Sequence, residues 1–291
     1  MIRLICAICI LFFVLTSANG YGSLPTVSVL DFGDSEVGKL AAEKLRTRFR
    51  ASGELNVADV DLTRSAAKGI GYTGSLNLTL NDARDLGAAL ATDFYVLGDA
   101  QVLRRSSFES PVYFEAYASV FLVSSRTGRL VTWERPSFNS ADAIQAQELL
   151  ARELDAQVSQ RLRSTMLQAN QTEMKERIVI SPPAPVIEDA PDDEKTAAAQ
   201  GLRLPRPYRR MRPEYPQSAA RAEAEAIVDV SVDVGADGEI GDVQIVRWAG
   251  FGLDEATLAT VRQMHFFPAM KNGTAIPMRV LLRYNFRKPP R

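Results

Sequence analysis

Side chains able to do chemistry are scarce in this sequence. Cys6 and Cys9 are its two cysteines, and both lie in an apolar N-terminal segment. Once that segment is removed no cysteine remains, which excludes a disulfide, a thiolate nucleophile and a cysteine-ligated metal. His265 is the only histidine, and no cysteine or nearby serine completes a catalytic triad with it. Neither charge sign is in excess: 34 basic and 35 acidic residues leave a net charge of −1. That balance argues against nucleic acid as the main partner. No phosphate-binding P-loop and no His-Glu-x-x-His motif occurs, and no internal repeat is evident.

Long hydrophobic runs are missing too. The apolar run from Leu4 to Leu15 is about 12 residues, shorter than the roughly 20 that a membrane-spanning helix requires. With Arg3 before it and the small residues Thr16 to Gly20 after it, residues 1–20 read as a secretory signal cleaved near Tyr21. The alternative is an uncleaved anchor in the inner membrane. The expected location is the periplasm.

What is present suggests an α+β chain with two folded units. In residues 21–169, Val27 to Phe32 reads as a buried strand, and Ser35 can cap a helix carrying Val37, Leu40, Ala41, Leu45 and Phe49. Leu55 to Asp61 reads as a second strand, followed by a polar, glycine-containing stretch to about Ser75. A helix is expected over Leu80 to Ala91 and strands at Phe94, Tyr113 to Val123 and Arg129 to Trp133. A long amphipathic helix, about Ala141 to Leu167, completes an α/β sandwich. Residues 170–204 form a linker rich in proline and acid, with Pro182, Pro183, Pro185 and Pro191 favouring extended chain.

Residues 205–291 carry the clearest pattern. Val228, Val230, Val232 and Val234 alternate with Asp229, Ser231 and Asp233, the period of a half-buried strand with its aspartates towards solvent. Asp237 and Gly238 suit a hairpin turn into a strand from about Ile240 to Trp248. Leu253 to Met264 has helical spacing, Asn272 and Gly273 mark a second hairpin, and a last strand ends at Phe286. The result is a small ββαβ unit with an antiparallel sheet. Gly250 and Gly252 open a helix after a strand, but no βαβ unit and no acidic residue about 20 positions on supports a dinucleotide site. Asp229, Asp233 and Asp237 lack the spacing of a calcium loop. The arginines at 203, 206, 209, 210 and 212 suit a phosphate-bearing lipid, an acidic partner or simply a solvated tether.

The order of Tyr215 and Pro216, Asp237 and Gly238, Leu253 and Asp254, Phe266 to Pro268, Asn272 and Gly273, then Tyr284 to Phe286 resembles the TonB C-terminal domain family. Ala226 stands where that family usually has glycine, and Arg212 where it often has an amide. The resemblance implies a domain that binds other proteins and catalyses nothing, with no cofactor. It implies capture of an extended peptide from an outer-membrane receptor or envelope protein along the last strand. Arg279, Val280, Leu281, Leu282, Arg283 and Tyr284 would form that edge, with Arg212, Pro213, Tyr215 and Pro216 beside it. Coupling to inner-membrane motor proteins is a further implication, as is a homodimer through this unit. The other expectation is an envelope scaffold without energy transduction. More diffusely, Val29 to Phe32, Thr92 to Gly98 and Thr127 with Gly128 are similar to TolB N-terminal and CsgG-like periplasmic domains.

Overall fold

The computed structural model describes residues 24–106, 112–178, 187–191 and 193–288. The segment read as a secretory signal, and Pro182, Pro183 and Pro185, lie outside the described residues. The fold is α+β.

The N-terminal unit runs β1 (Thr26–Val29), α1 (Glu36–Ser52), β2 (Asn56–Val57), α2 (Val60–Gly69), α3 (Leu80–Leu90), β3 (Phe94–Arg105), β4 (Tyr113–Ser124), β5 (Leu130–Glu134), β6 (Ser137–Ser140), α4 (Ala143–Glu153) and α5 (Ser159–Ile178). One π-helical turn, Leu154–Val158, joins the last two helices. The sheet order is β2-β1-β3-β4-β5, with β6 on β4. β1 is parallel to β2 and β3, and the remaining pairs are antiparallel. Ser35 caps α1 by accepting from the Gly38 N–H at 2.9 Å, as the sequence suggests. One sheet face packs on α1, α4 and α5 through Leu45, Phe49, Leu150, Leu162 and Met166. The other packs on α2 and α3 through Ala67, Leu80, Ala83 and Leu86.

The chain continues through α6 (Glu194–Ala199), β7 (Leu202–Arg203), β8 (Arg206–Pro207), α7 (Gln217–Ala222), β9 (Ala226–Val234), β10 (Ile240–Arg247), α8 (Leu253–Val261), β11 (Phe266–Phe267), β12 (Ala269–Lys271), β13 (Thr274–Ile276) and β14 (Met278–Phe286). β9 is the centre of an antiparallel sheet ordered β10-β9-β14. Its four valines at 228, 230, 232 and 234 are fully buried beneath Leu253, Val261 and Phe266. The turn between β9 and β10 requires glycine at 238. Its φ is +86°, and a Cβ there would lie 2.1 Å from the Phe266 carbonyl oxygen.

Two expectations about this region change. Asp229 and Asp233 do not face solvent: they are 3% and 8% exposed, because arginines from the neighbouring strands lie over them. The arginine-rich stretch is not a free tether either. β7 pairs with β12 and β8 with β11, and Leu202 packs with Ala197, Ala269 and Met278.

The two units touch through an aromatic contact. Trp248, just past β10, is buried in the core of the N-terminal unit and stacks on Phe121 at 5.9 Å between ring centres. Phe251 meets Phe121 at 5.5 Å and Trp133 at 5.4 Å. A Cβ on Gly250 would come within 2.6 Å of Phe121, so the backbone approaches the ring as only glycine permits. Asn77 adds polar pairing. Its amide donates to the carbonyls of Ile227 (2.8 Å) and Trp248 (2.7 Å), and its oxygen accepts from the Ile227 N–H (3.0 Å).

Candidate functional site

β14 is an edge strand whose register with β9 is unbroken from Met278 opposite Val234 to Phe286 opposite Ala226. The other edge, β10, is interrupted by irregularities between Ile240 and Val243 and between Ile245 and Arg247, and Thr79 bridges to Arg247 at its end. Bulges and cover of that kind blunt an edge; a straight strand leaves it ready to pair.

The two faces of β14 are built differently. Val280, Leu282 and Tyr284 face the core. Arg279, Leu281 and Arg283 lie opposite Asp233, Ser231 and Asp229 on the other face. Arg279 grips Asp233 with Nε and Nη2 at 2.6 and 3.0 Å. Arg283 holds Asp229 in the same way at 2.7 and 3.0 Å, and Arg247 donates to Asp229 from the third strand at 3.1 Å. Burial opposes ionisation of Asp229, but Arg283 and Arg247 outweigh it and keep the carboxyl below the usual range. These bidentate pairs fix the three strands side to side and leave Leu281 standing 58% exposed between two arginines.

The outer backbone of β14 is partly in use. Arg279 N–H donates to the Glu188 carbonyl at 2.9 Å, and Ala190 N–H donates to the Arg279 carbonyl at 2.7 Å. Residues 188–190 therefore run parallel to the start of β14. In an antiparallel pair, alternate residues turn both backbone groups away from the partner. With Arg279 facing outward, Leu281, Arg283 and Asn285 face outward as well. Among the described residues none of these three has an outward backbone partner.

The entry segment is placed at the far end of this strand. Tyr215 packs 6.4 Å from Phe286, ring to ring, and its hydroxyl donates to the Ala224 carbonyl at 2.7 Å. Pro216 precedes α7 and packs near Gly252. Pro213 is half-buried; Arg212 is exposed, and no hydrogen bond or ion pair joins it to β14 among the described residues. Tyr215 and Pro216 thus brace the fold, and the exposed part of the edge is Leu281, Arg283 and Asn285. The cover by Glu188 and Ala190 had no local signal: a single residue pairing followed by Pro191 has neither length nor alternation.

Among the described residues no group of three or more histidine, cysteine or acidic side chains could hold a metal. No described helix is long and apolar enough to cross a membrane.

The family model described as Gram-negative bacterial TonB protein C-terminal matches residues 211–287. No curated protein matches the chain. Among solved structures, the TonB C-terminal domain of Pseudomonas aeruginosa is 23% identical and aligns over 30% of this chain and 89% of its own, with a TM-score of 0.26. The hypothetical protein CT253 of Chlamydia trachomatis is 13% identical over 48% of this chain and 99% of its own, with a TM-score of 0.34. The LpoB C-terminal domain of Salmonella enterica is 14% identical over 41% and 86%, with a TM-score of 0.29. Residues 211–287, which hold the paired strands β9, β10 and β14, belong to the TonB C-terminal domain family.

Proposed function

We propose that this chain is a periplasmic interaction protein that captures an extended peptide of an outer-membrane partner by adding it as a strand beside β14. The observation that carries this reading is the outward backbone of Leu281, Arg283 and Asn285 on a strand of unbroken register. A peptide laid there gains main-chain hydrogen bonds for affinity, and Arg279, Leu281 and Arg283 next to it supply side-chain selectivity. Arg212, Pro213, Tyr215 and Pro216 flank one end of this edge, where Tyr215 and Pro216 brace it and Arg212 and Pro213 contribute contacts to the end of the peptide. The role is recognition and not catalysis.

Energy coupling to outer-membrane transport, through inner-membrane motor proteins, extends this reading. The scaffold reading keeps the peptide capture and drops the coupling. It is favoured by the Trp248 contact, which ties the peptide-binding unit to a second folded unit. Retention in the inner membrane together with motor subunits separates the two.

The test is titration of the isotope-labelled chain with a synthetic peptide from the periplasmic N-terminal segment of an outer-membrane receptor. Amide shifts concentrated at 280–286 are expected. Shifts confined to α8, with β14 unmoved, would rule out strand addition.

A further inference from the structure

Outside the logic of the peptide edge lies an exposed surface with a different character. The register pairs Phe267 with Arg206 and Phe266 with Pro207, and Tyr208 N–H donates to the His265 carbonyl at 2.8 Å. Residues directly opposite share a face, and alternate residues return to it. Arg206, Tyr208, His265 and Phe267 therefore project from one side of this ribbon, while Phe266 is buried on the other. Phe267 is 57% exposed and Tyr208 61%, their rings 4.2 Å apart between centres. Two large rings held together in water and left uncovered call for an occupant.

The charge around them points to its nature. The stretch 201–213 holds Arg203, Arg206, Arg209, Arg210 and Arg212 and no acid, in a chain whose net charge is −1. All five are exposed, and none of their side chains has an ion-pair or hydrogen-bond partner among the described residues. Two acids of the preceding stretch are engaged elsewhere: Glu188 lies 4.0 Å from Lys271, and Asp193 caps α6. Glu239, 3.9 Å from His265, stands at the margin of the patch.

We propose that this face, with Tyr208 and Phe267 at its centre and Arg203, Arg206, Arg209 and Arg210 around them, docks on a membrane surface rich in anionic phospholipid. Aromatic rings settle at headgroup depth, and arginines pair with lipid phosphates. No carboxylate or neighbouring ring pins the guanidiniums, so they follow a fluid headgroup layer. A folded acidic protein would need them fixed in place. The proposal does not depend on peptide capture at β14.

The test uses a chain beginning at Tyr21, which keeps every described residue, in a vesicle sedimentation assay. One vesicle population is phosphatidylcholine alone; the other holds about one part phosphatidylglycerol to three of phosphatidylcholine, and each basic residue near such a surface contributes roughly fivefold to binding. Binding that requires phosphatidylglycerol and weakens with added salt is expected. Substituting Arg206→Gln, Arg209→Gln and Arg210→Gln together should lower it on the order of 100-fold. Tyr208→Ser with Phe267→Ser should lower it with an unchanged salt slope, and both variants alter exposed side chains only. Equal binding to both vesicles, or arginine substitutions without effect, would overturn the proposal. So would binding of soluble polyglutamate as tight as vesicle binding, which would assign the patch to an acidic polypeptide.

Discussion

Leu281 concentrates the argument for peptide capture in one position. Its side chain is exposed and its backbone turns away from β9, so neither the core nor the sheet uses it. Leu281→Pro removes one outward N–H and no sheet hydrogen bond. Peptide affinity should fall about tenfold, the worth of roughly one main-chain hydrogen bond. The melting temperature should change little. Leu282→Pro is the contrast: its N–H faces β9, so the same substitution one residue on should destabilise the sheet itself. Calorimetric peptide titration and thermal unfolding of the two variants check both statements, and equal effects on affinity would show that the edge is not the site. The sequence alternates Val280 and Leu282 with Arg279, Leu281 and Arg283, and the structure turns Val280, Leu282 and Tyr284, expected at the peptide edge, to the core. The fate of Asp229 and Asp233 was not legible in the sequence, because alternation says which face a residue takes but not what covers that face. Here cross-strand arginines cover it, and their partners are set by register with a strand more than 40 residues away.

Among the elements, the segment Glu188 to Ala190 matters more than its length suggests. It occupies the first outward position of β14 and stops there. A peptide spanning the whole edge must displace it, so the chain competes with its own ligand. Ala190→Pro deletes the hydrogen bond to the Arg279 carbonyl, and roughly threefold to tenfold tighter peptide binding is expected, the equivalent of one hydrogen bond returned to the ligand. Unchanged affinity would mean that the peptide lies wholly beyond Arg279. Pattern reading located β9, β10, α8 and β14 because each repeats its period over eight or more residues. It missed α2, whose buried side chains are only Thr63 and Ala67, too few to draw an apolar stripe. It missed β7 and β8 for a related reason. Each is two residues long, and β8 ends in proline, so their existence depends on the strands they join rather than on any period of their own. The outward exposure of Tyr208 and Phe267 likewise follows from that pairing.

The two units of the molecule meet where Trp248 and Phe251 enter the N-terminal unit, with Asn77 pairing to Ile227 and Trp248 and Arg105 lying 3.6 Å from Glu223 beside them. Trp248 is 2% exposed, stacked on Phe121, with its indole N–H donating to the Gly128 carbonyl at 3.0 Å. Trp248→Ala should cost about 3–5 kcal/mol and uncouple the units, so hydrogen exchange that is concerted in the parent should divide into two independent sets. The same loop carries a group that makes the contact sensitive to pH. Asp254 accepts from the N–H groups of Ala249 and Gly250 at 2.9 and 2.8 Å, and these bonds hold the turn that presents Trp248 and Phe251. Burial pushes its carboxyl up from 3.8 to about 6, with the two N–H donors offsetting part of the rise. Between those values the folded protein holds a proton that the unfolded chain has released, so stability falls as pH rises through this window. Fully ionised, Asp254 costs about 3 kcal/mol relative to its protonated form. Asp254→Asn keeps the shape and removes the titration. On going from about pH 7 to about pH 4, the parent should gain stability relative to this variant, and nearly all of the gain should appear below pH 6. Denaturant unfolding of both chains across that range measures the difference. A constant difference would mean that Asp254 ionises normally and that the contact is open to water.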